Sequence, residues 1–339
     1  MNNLKKIGLS ALAGSLVAFS ANAVEMSVSG TAEITYTAIQ GDHVTTSTTT
    51  NVGVNPTTAN PFGSNTSLKF SGSGNVGFAD VTIVRTLNDG IASALSAYQT
   101  MDMGDLGTIS FDAIGGGLEG VTAYDDKLPT AYEEIWNGVS SSGISGAASN
   151  DTLGYSNTFG ALGISLAYTK GGSSGSSDGS GKPEASSGAT SDAHITLDAS
   201  SMIDGLTIMA GTTSTDVSKA GQNDTQGHVG HIVYSAGAVS VGYRKADYAA
   251  GKAGKAGKII DAASIAFAVN ENLSVSVGTQ DTEYDVASGV NVTEKVDAVS
   301  ASYTAGAASV RLHAADSSSD GGVTGKSAEY MELSLVLAF

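Results

Sequence analysis

The last ten residues read Tyr330-Met331-Glu332-Leu333-Ser334-Leu335-Val336-Leu337-Ala338-Phe339. Every odd position from Met331 onward is apolar, and the final residue is aromatic. A period of two puts alternate side chains on opposite faces of an extended strand, so this tail carries one continuous apolar face. The first residues say what that face meets. Lys5 and Lys6 form a short basic region, Ile7 to Phe19 an apolar run, and Ala21-Asn22-Ala23 a small-residue cleavage site, so residues 1–23 read as a removable export signal and 24–339 as the mature chain. An anchor helix is the competing reading, but the apolar run is shorter than the roughly 20 residues that span hydrocarbon. No later stretch reaches that length either, which leaves strands as the means of crossing a membrane. An exported chain with such a last strand points to a barrel in a bacterial outer membrane.

Cysteine is absent, which fits an exported protein without a disulfide scaffold and argues against thiolate metal sites. The formal charge of -17 becomes -19 once Lys5 and Lys6 leave with the signal; a chain this acidic does not seek nucleic acid. The 44 glycines and 4 prolines, with many Ser, Thr, Ala and Val, suit turns and close-packed strands rather than helices. A soluble single domain could share that composition, so the strand pattern has to decide.

From Met26 to Ala38 the even positions (Met26, Val28, Gly30, Ala32, Ile34, Tyr36, Ala38) are apolar or small, while Ser27, Ser29, Thr31, Glu33, Thr35 and Thr37 are polar. Thirteen alternating residues exceed the usual globular strand of about five or six and suffice for a tilted membrane strand of about 9–11. The same alternation recurs at Leu162 to Thr169, His194 to Ala199 and Leu273 to Gly278. Short turns at Phe159-Gly160-Ala161, Ile203-Asp204-Gly205, Ala236-Gly237-Ala238, Asn270-Glu271-Asn272 and Ala305-Gly306 are separated by long polar connections near 40–64, 171–192, 215–226, 248–258, 284–294 and 316–325. Short on one side and long on the other is the mark of periplasmic turns opposite extracellular loops. The reading predicts sixteen strands, an even number as closure requires, at 26–38, 66–74, 78–87, 93–101, 106–112, 151–158, 162–169, 193–200, 206–213, 227–235, 239–247, 259–268, 273–281, 295–303, 307–315 and 326–339.

At this point the chain resembles the general diffusion porins of Gram-negative bacteria, with the alpha-proteobacterial branch the nearer. Gly104-Asp105-Leu106-Gly107-Thr108-Ile109-Ser110-Phe111 looks like their fifth strand and Asn150-Asp151-Thr152-Leu153-Gly154-Tyr155-Ser156 like their sixth. The longest insertion, Asp112 to Asn150, falls where those proteins fold a constriction loop into the barrel. The Pro-Glu-Phe-Gly-Gly loop tip of enterobacterial members is missing. The resemblance implies an all-β, sixteen-stranded antiparallel transmembrane barrel passing small hydrophilic solutes and ions passively. It also implies a homotrimer in outer membrane lipid, with a short connection near Asn88-Asp89-Gly90 available for subunit contact, and a Phe339 signal read by the barrel assembly machinery.

Selectivity belongs to the narrowest point, because charge in a wide aqueous lumen is screened within about 8 Å. The inserted segment carries Glu119, Asp125, Asp126, Glu133 and Glu134 against Lys127, with Trp136 the sole tryptophan. The alternative is that these residues only face water on a surface loop. Opposite charge is expected from the wall, where parity aims Arg244, Arg311 and Lys69 into the lumen. Arg85 is placed with them, although Val81, Ile83 and Val84 occupy both faces of its strand, a pattern also compatible with a subunit contact. These cations would either neutralise wall carboxylates or, with the acidic loop, set a transverse field.

Several motif matches carry no chemistry. Gly72-Ser73-Gly74-Asn75-Val76-Gly77 fits a dinucleotide fingerprint, but a second alternating strand follows instead of a helix, so it reads as a hairpin turn. The nucleophile-elbow patterns within Gly171 to Gly179 sit in a Ser/Gly-rich tract with no strand-to-helix turn. His228 and His231 fall on opposite faces of a strand, and no cysteine completes a metal site. Asp316 to Asp320 lacks the ligand count of a calcium loop and reads as a solvated loop. The sequence therefore predicts neither catalysis nor a cofactor. A secreted β-rich adhesin or surface-layer protein is the other class; it requires a fixed repeat, which is not found. An outer membrane enzyme is disfavoured because no Ser, His and carboxylate cluster has a structural context.

Overall fold

The structure is a computed structural model of the chain. It describes residues 25–41, 60–88, 94–114, 120–121, 127–139, 151–169, 190–198, 203–215, 224–249, 257–285 and 290–339. Residues 1–24, which include the expected export signal, the tract 170–189 and the acids Glu119, Asp125 and Asp126 fall outside them.

Sixteen strands close into one barrel. They are β1 (Glu25–Gly41), β2 (Phe62–Asn75), β3 (Asp80–Asn88), β4 (Ala94–Asp102), β5 (Thr108–Asp112), β6 (Thr152–Phe159), β7 (Leu162–Thr169), β8 (Thr190–Asp198), β9 (Leu206–Thr215), β10 (Thr225–Ala236), β11 (Val239–Ala249), β12 (Lys258–Ala268), β13 (Leu273–Tyr284), β14 (Val292–Ala305), β15 (Ala308–Ser318) and β16 (Ser327–Ala338). Each pairs antiparallel with its sequence neighbours, and β1 pairs with β16. Every expected strand is present, with ends displaced by at most four residues. Among the described residues no helix is long and apolar enough to cross a membrane.

The registers sort the two faces. One outward row crosses six strands as Ile265, Val277, Val299, Ala314, Met331 and Ala38, and the next as Phe267, Val275, Ala301, Leu312, Leu333 and Tyr36. Ile265, Val277, Val299, Leu312 and Leu333 are all exposed, a loss that water would penalise and hydrocarbon removes. The row facing inward between them runs Ala266, Ser276, Ser300, His313 and Glu332. An apolar exterior and a polar interior, reversed from a soluble barrel, follow from the alternation seen first in β16.

The seam between β1 and β16 pairs Thr31 to Gly41 with Ala338 to Ala328, and the last residue extends it by one more pair. Gly30 N–H donates to the Phe339 carbonyl at 2.8 Å and Phe339 N–H to the Gly30 carbonyl at 3.0 Å. A Cβ at Gly30 would stand 2.7 Å from the tip of the Phe339 ring and 2.9 Å from the Ser67 carbonyl oxygen, so the glycine makes room for the terminal aromatic against β1.

Three local expectations are corrected. Leu106 does not begin β5: Gly104–Leu106 is a 3-10 turn, because Gly104 and Gly107 take positive φ (63° and 85°) and fold the run before extension starts at Thr108. Gly72 and Gly74 stay within β2, and the turn falls at 76–79, where the Asn75 side chain accepts from Gly77 N–H at 2.7 Å. The stretch from Asp316 to Asp320 is not simply a solvated loop. β15 runs through Ser318, Asp316 points outward from it, and Asp320 is buried in a 3-10 turn.

Candidate pore constriction

The inserted segment folds back onto the inner wall of the later strands, where the wall is built from small residues. One inward row reads Gly242, Ser264, Gly278, Ala298, Ala315 and Tyr330 from β11 to β16. Residues 127–139 lie against that row. A Cβ on Gly242 would stand 2.4 Å from Pro129 Cδ, one on Gly278 2.6 Å from Ile135 Cδ1, and one on Gly138 2.2 Å from the Tyr330 ring. Gly138 also has φ +80°, so a side chain there is excluded by both space and backbone. Leu128, Ile135 and Val139 are buried with Ala262, Val296, Ala298, Ala315 and Ala328, and Val121 is buried with Met209, Val229, Ala246 and Ile260. Dry contact of this kind, about 25 cal/mol per Å² of apolar surface, holds the segment to the wall.

Polar groups fix its register. Ala131 N–H donates to Ser276 Oγ at 2.8 Å. His313 is fully buried, with Nδ1 2.9 Å from Ser300 Oγ and Nε2 3.3 Å from the Asn137 carbonyl oxygen. Tyr132 donates its hydroxyl to Glu332 at 2.6 Å; Tyr330 donates to the same carboxylate and Ser334 donates to Glu33. The Arg311 guanidinium stands 5.3 Å from the centre of the Tyr132 ring, a cation–π distance. Behind the segment, Arg244 is 1 % exposed and donates from Nη2 to Gln280 Oε1 at 2.8 Å. It lines a cavity of about 180 Å³ with Glu134, Trp136 and Gln280.

Glu33 of β1, Glu133 of the inserted segment and Glu332 of β16 thus face one guanidinium, Arg311, at one point of the lumen. Burial pushes the Glu133 carboxyl above the usual carboxylate range, and the Glu332 and Glu33 charges push the same way against Tyr132 and Arg311. Burial raises the Tyr132 hydroxyl as well, as does its bond to Glu332. What the arrangement can do is set a local negative potential beside a cation held in place on an aromatic ring.

Of the residues expected from sequence, Glu133, Glu134 and Lys127 are half-buried on the docked segment, Lys127 beside His231. Glu119, Asp125 and Asp126 lie outside the described residues. Arg311 reaches the acidic cluster. Lys69 is exposed and pairs with Ser29 of β1, on the face that carries Glu33, four residues nearer the short turns. Arg244 faces inward, but the docked segment covers it, so it is corrected from a lumen-lining charge to a support beneath the segment. Arg85 is corrected more fully: it pairs with Phe70 and Ala97 in the outward row, while Val84 takes the inner face and is buried there. An inward valine defeats the alternation argument in β3. Sequence reasoning missed Glu33, Glu332, Tyr132 and Tyr330; Glu33 was already on the polar face of β1, and Glu332 follows from the same parity in β16.

No protein-family model and no curated protein matches the chain. Solved structures do. OmpF of Salmonella typhi, in complex with daunomycin, superposes with a TM-score of 0.66 at 12 % identity, covering 93 % of this chain and 97 % of its own. The trimer form of in-vitro folded OmpT, an outer membrane protein of Vibrio cholerae, gives 0.60 at 12 % identity, covering 94 % and 100 %. A mutant of Rh. blastica porin gives 0.58 at 12 % identity, covering 94 % and 100 %. At these identities the likeness is one of fold, and it extends over nearly the whole chain.

Proposed function

We propose that this chain is an outer membrane porin of a Gram-negative cell, a water-filled channel through which small hydrophilic solutes and ions diffuse down their gradients. The observation that carries the reading is the inverted barrel with a segment docked inside it. Sixteen strands leave an aqueous lumen that side chains alone do not fill, and residues 127–139 narrow it on one side. No reaction and no cofactor enter this reading. The mature protein begins after residue 23, inserts in lipid with help from the barrel assembly machinery, which reads Phe339, and assembles as a homotrimer, as the fold-related OmpT does. The short connection near Asn88-Asp89-Gly90 lies outside the described residues, apart from Asn88 at the end of β3. The outward Arg85 near it supports a protein contact there, since an Arg facing lipid costs about 2–4 kcal/mol at the midplane.

Glu33, Glu133 and Glu332, with Glu119, Asp125 and Asp126, outweigh the bases Arg311, Lys69 and Lys127, while Glu134 and Arg244 share the covered cavity, so the channel prefers cations weakly. Planar bilayer recording of the purified protein tests the reading: stepwise conductance, with a reversal potential shifted toward the cation value under a salt gradient. A folded, heat-modifiable barrel that adds no conductance overturns it.

A further inference from the structure

The outer wall holds a feature that a channel does not use. Across β12 to β16 and β1, just on the long-connection side of the row from Ile265 to Ala38, the next outward row reads Ala263, Thr279, Asp297, Asp316, Glu329 and Gln40. These two rows line an open groove of about 890 Å³. It is dented because Ala38, Ala263 and Ala314 are short beside Ile265, Val277, Val299 and Met331. Its volume falls in the roughly 300–1,000 Å³ range of small-ligand pockets.

Asp297, Asp316 and Glu329 are directly opposite one another on three successive strands and exposed. Like charges in that relation destabilise a sheet. The neighbouring outward acids are treated differently: Asp261 is paired with Lys245 at 2.8 Å and Asp281 with Lys295 at 2.7 Å. Lys295, held by Asp281, also acts on Asp297 from a distance, whereas among the described residues no ion pair is formed with Asp316 or Glu329. The wall therefore offers an apolar groove with three carboxylates along its long-connection side.

We propose that this groove docks an amphiphile of the surrounding leaflet whose head group carries a positively charged amine. The acyl chain lies along the row from Ile265 to Ala38, and the ammonium group sits against the three carboxylates. Charge complementarity selects this occupant over a second copy. The one outward arginine seen on the early strands, Arg85, is level through Phe70 with Val28 of β1, whereas the acid row is level with Gln40. Twelve residues of strand separate those positions on β1, roughly 40 Å along the chain. A copy with a parallel axis thus does not bring Arg85 to the acids.

The proposal rests on the membrane placement given above, and one preparation separates the two. The purified barrel is titrated in detergent with dimethyldioctadecylammonium, phosphatidylcholine, or phosphatidylglycerol with and without Mg²⁺, and bound lipid is counted by native mass spectrometry. The variants are D297N/D316N/E329Q, which keeps the shape, and Ala314→Trp, which fills the groove; heat modifiability and single-channel conductance show that each is folded. The expected result is that the wild-type barrel retains the ammonium lipid about tenfold more tightly than either variant, with the difference shrinking at high salt, while conductance is unchanged. Equal retention by the carboxamide variant overturns the proposal. So does preference for phosphatidylglycerol with Mg²⁺, or a self-association that displaces the lipid. Retention of the ammonium lipid by a barrel that does not conduct leaves the docking groove standing and removes the channel.

Discussion

Glu133 is the residue whose charge is most easily removed. Its carboxyl is held above the ordinary carboxylate range by burial and by Glu332 and Glu33, so as pH falls it takes up its proton before an exposed glutamate does. Cation preference is therefore expected to decline on acidification at a pH above that range, and Glu133→Gln should lower the preference at neutral pH and flatten the pH profile; reversal potentials measured across a pH series check both. Tyr132 has a different task. Tyr132→Phe keeps the ring under Arg311 but deletes the hydroxyl that reaches Glu332. A hydrogen bond to a charged group is worth about 1.5–3 kcal/mol, so the variant should show noisier open-channel current and faster proteolysis of the docked segment, with the barrel itself intact. These residues were only half legible in the sequence. Parity gave the inward direction of Glu33, Arg311 and Arg244, but not that a segment from elsewhere would cover Arg244 and leave Arg311 in the lumen. That outcome depends on contacts between positions 145 and 200 residues apart, which no local period encodes.

At the scale of elements, the strands were readable because each has one face that must be apolar. The inserted segment was not, because no repeating surface constrains it. Its docking row was nonetheless written in the wall. Gly242, Ser264, Gly278, Ala298 and Ala315 are small on the inner face, where bulk and charge would otherwise be free to stand, and together they make room for a chain laid across five strands. Gly278→Leu forces Ile135 off its seat at 2.6 Å; the expected outcome is a larger, less selective conductance with normal heat modifiability. Asp125→Asn with Asp126→Asn should shift the reversal potential toward anions, and an unchanged potential would show that their stretch is away from the constriction. Glu271, exposed in the short turn between β12 and β13, serves as the control: its replacement by Gln should leave the potential unchanged.

For the whole molecule, the closed ring and the alternation of turn and loop fix an orientation. With the short turns inside the cell envelope, a tag inserted between Gly172 and Gly179 should be accessible on intact cells and one at Gly237 should not; labelling Gly237 alone would invert the barrel. Phe339 extends the β1–β16 seam to Gly30 and is the proposed signal for the assembly machinery, so deleting it should reduce the yield of heat-modifiable barrel. The docked segment adds a matter of timing. It lies in the chain between β5 and β6, yet its seat is built from β11 to β16, and Tyr132 waits for Glu332. Contacts so distant in sequence form late, because the loop they close is long. The docked segment is thus the last part of the molecule to be seated, and in the proposed channel a barrel arrested before its final strands is an open hole rather than a filter. A cell that inserts this protein has reason to finish β16 before releasing it.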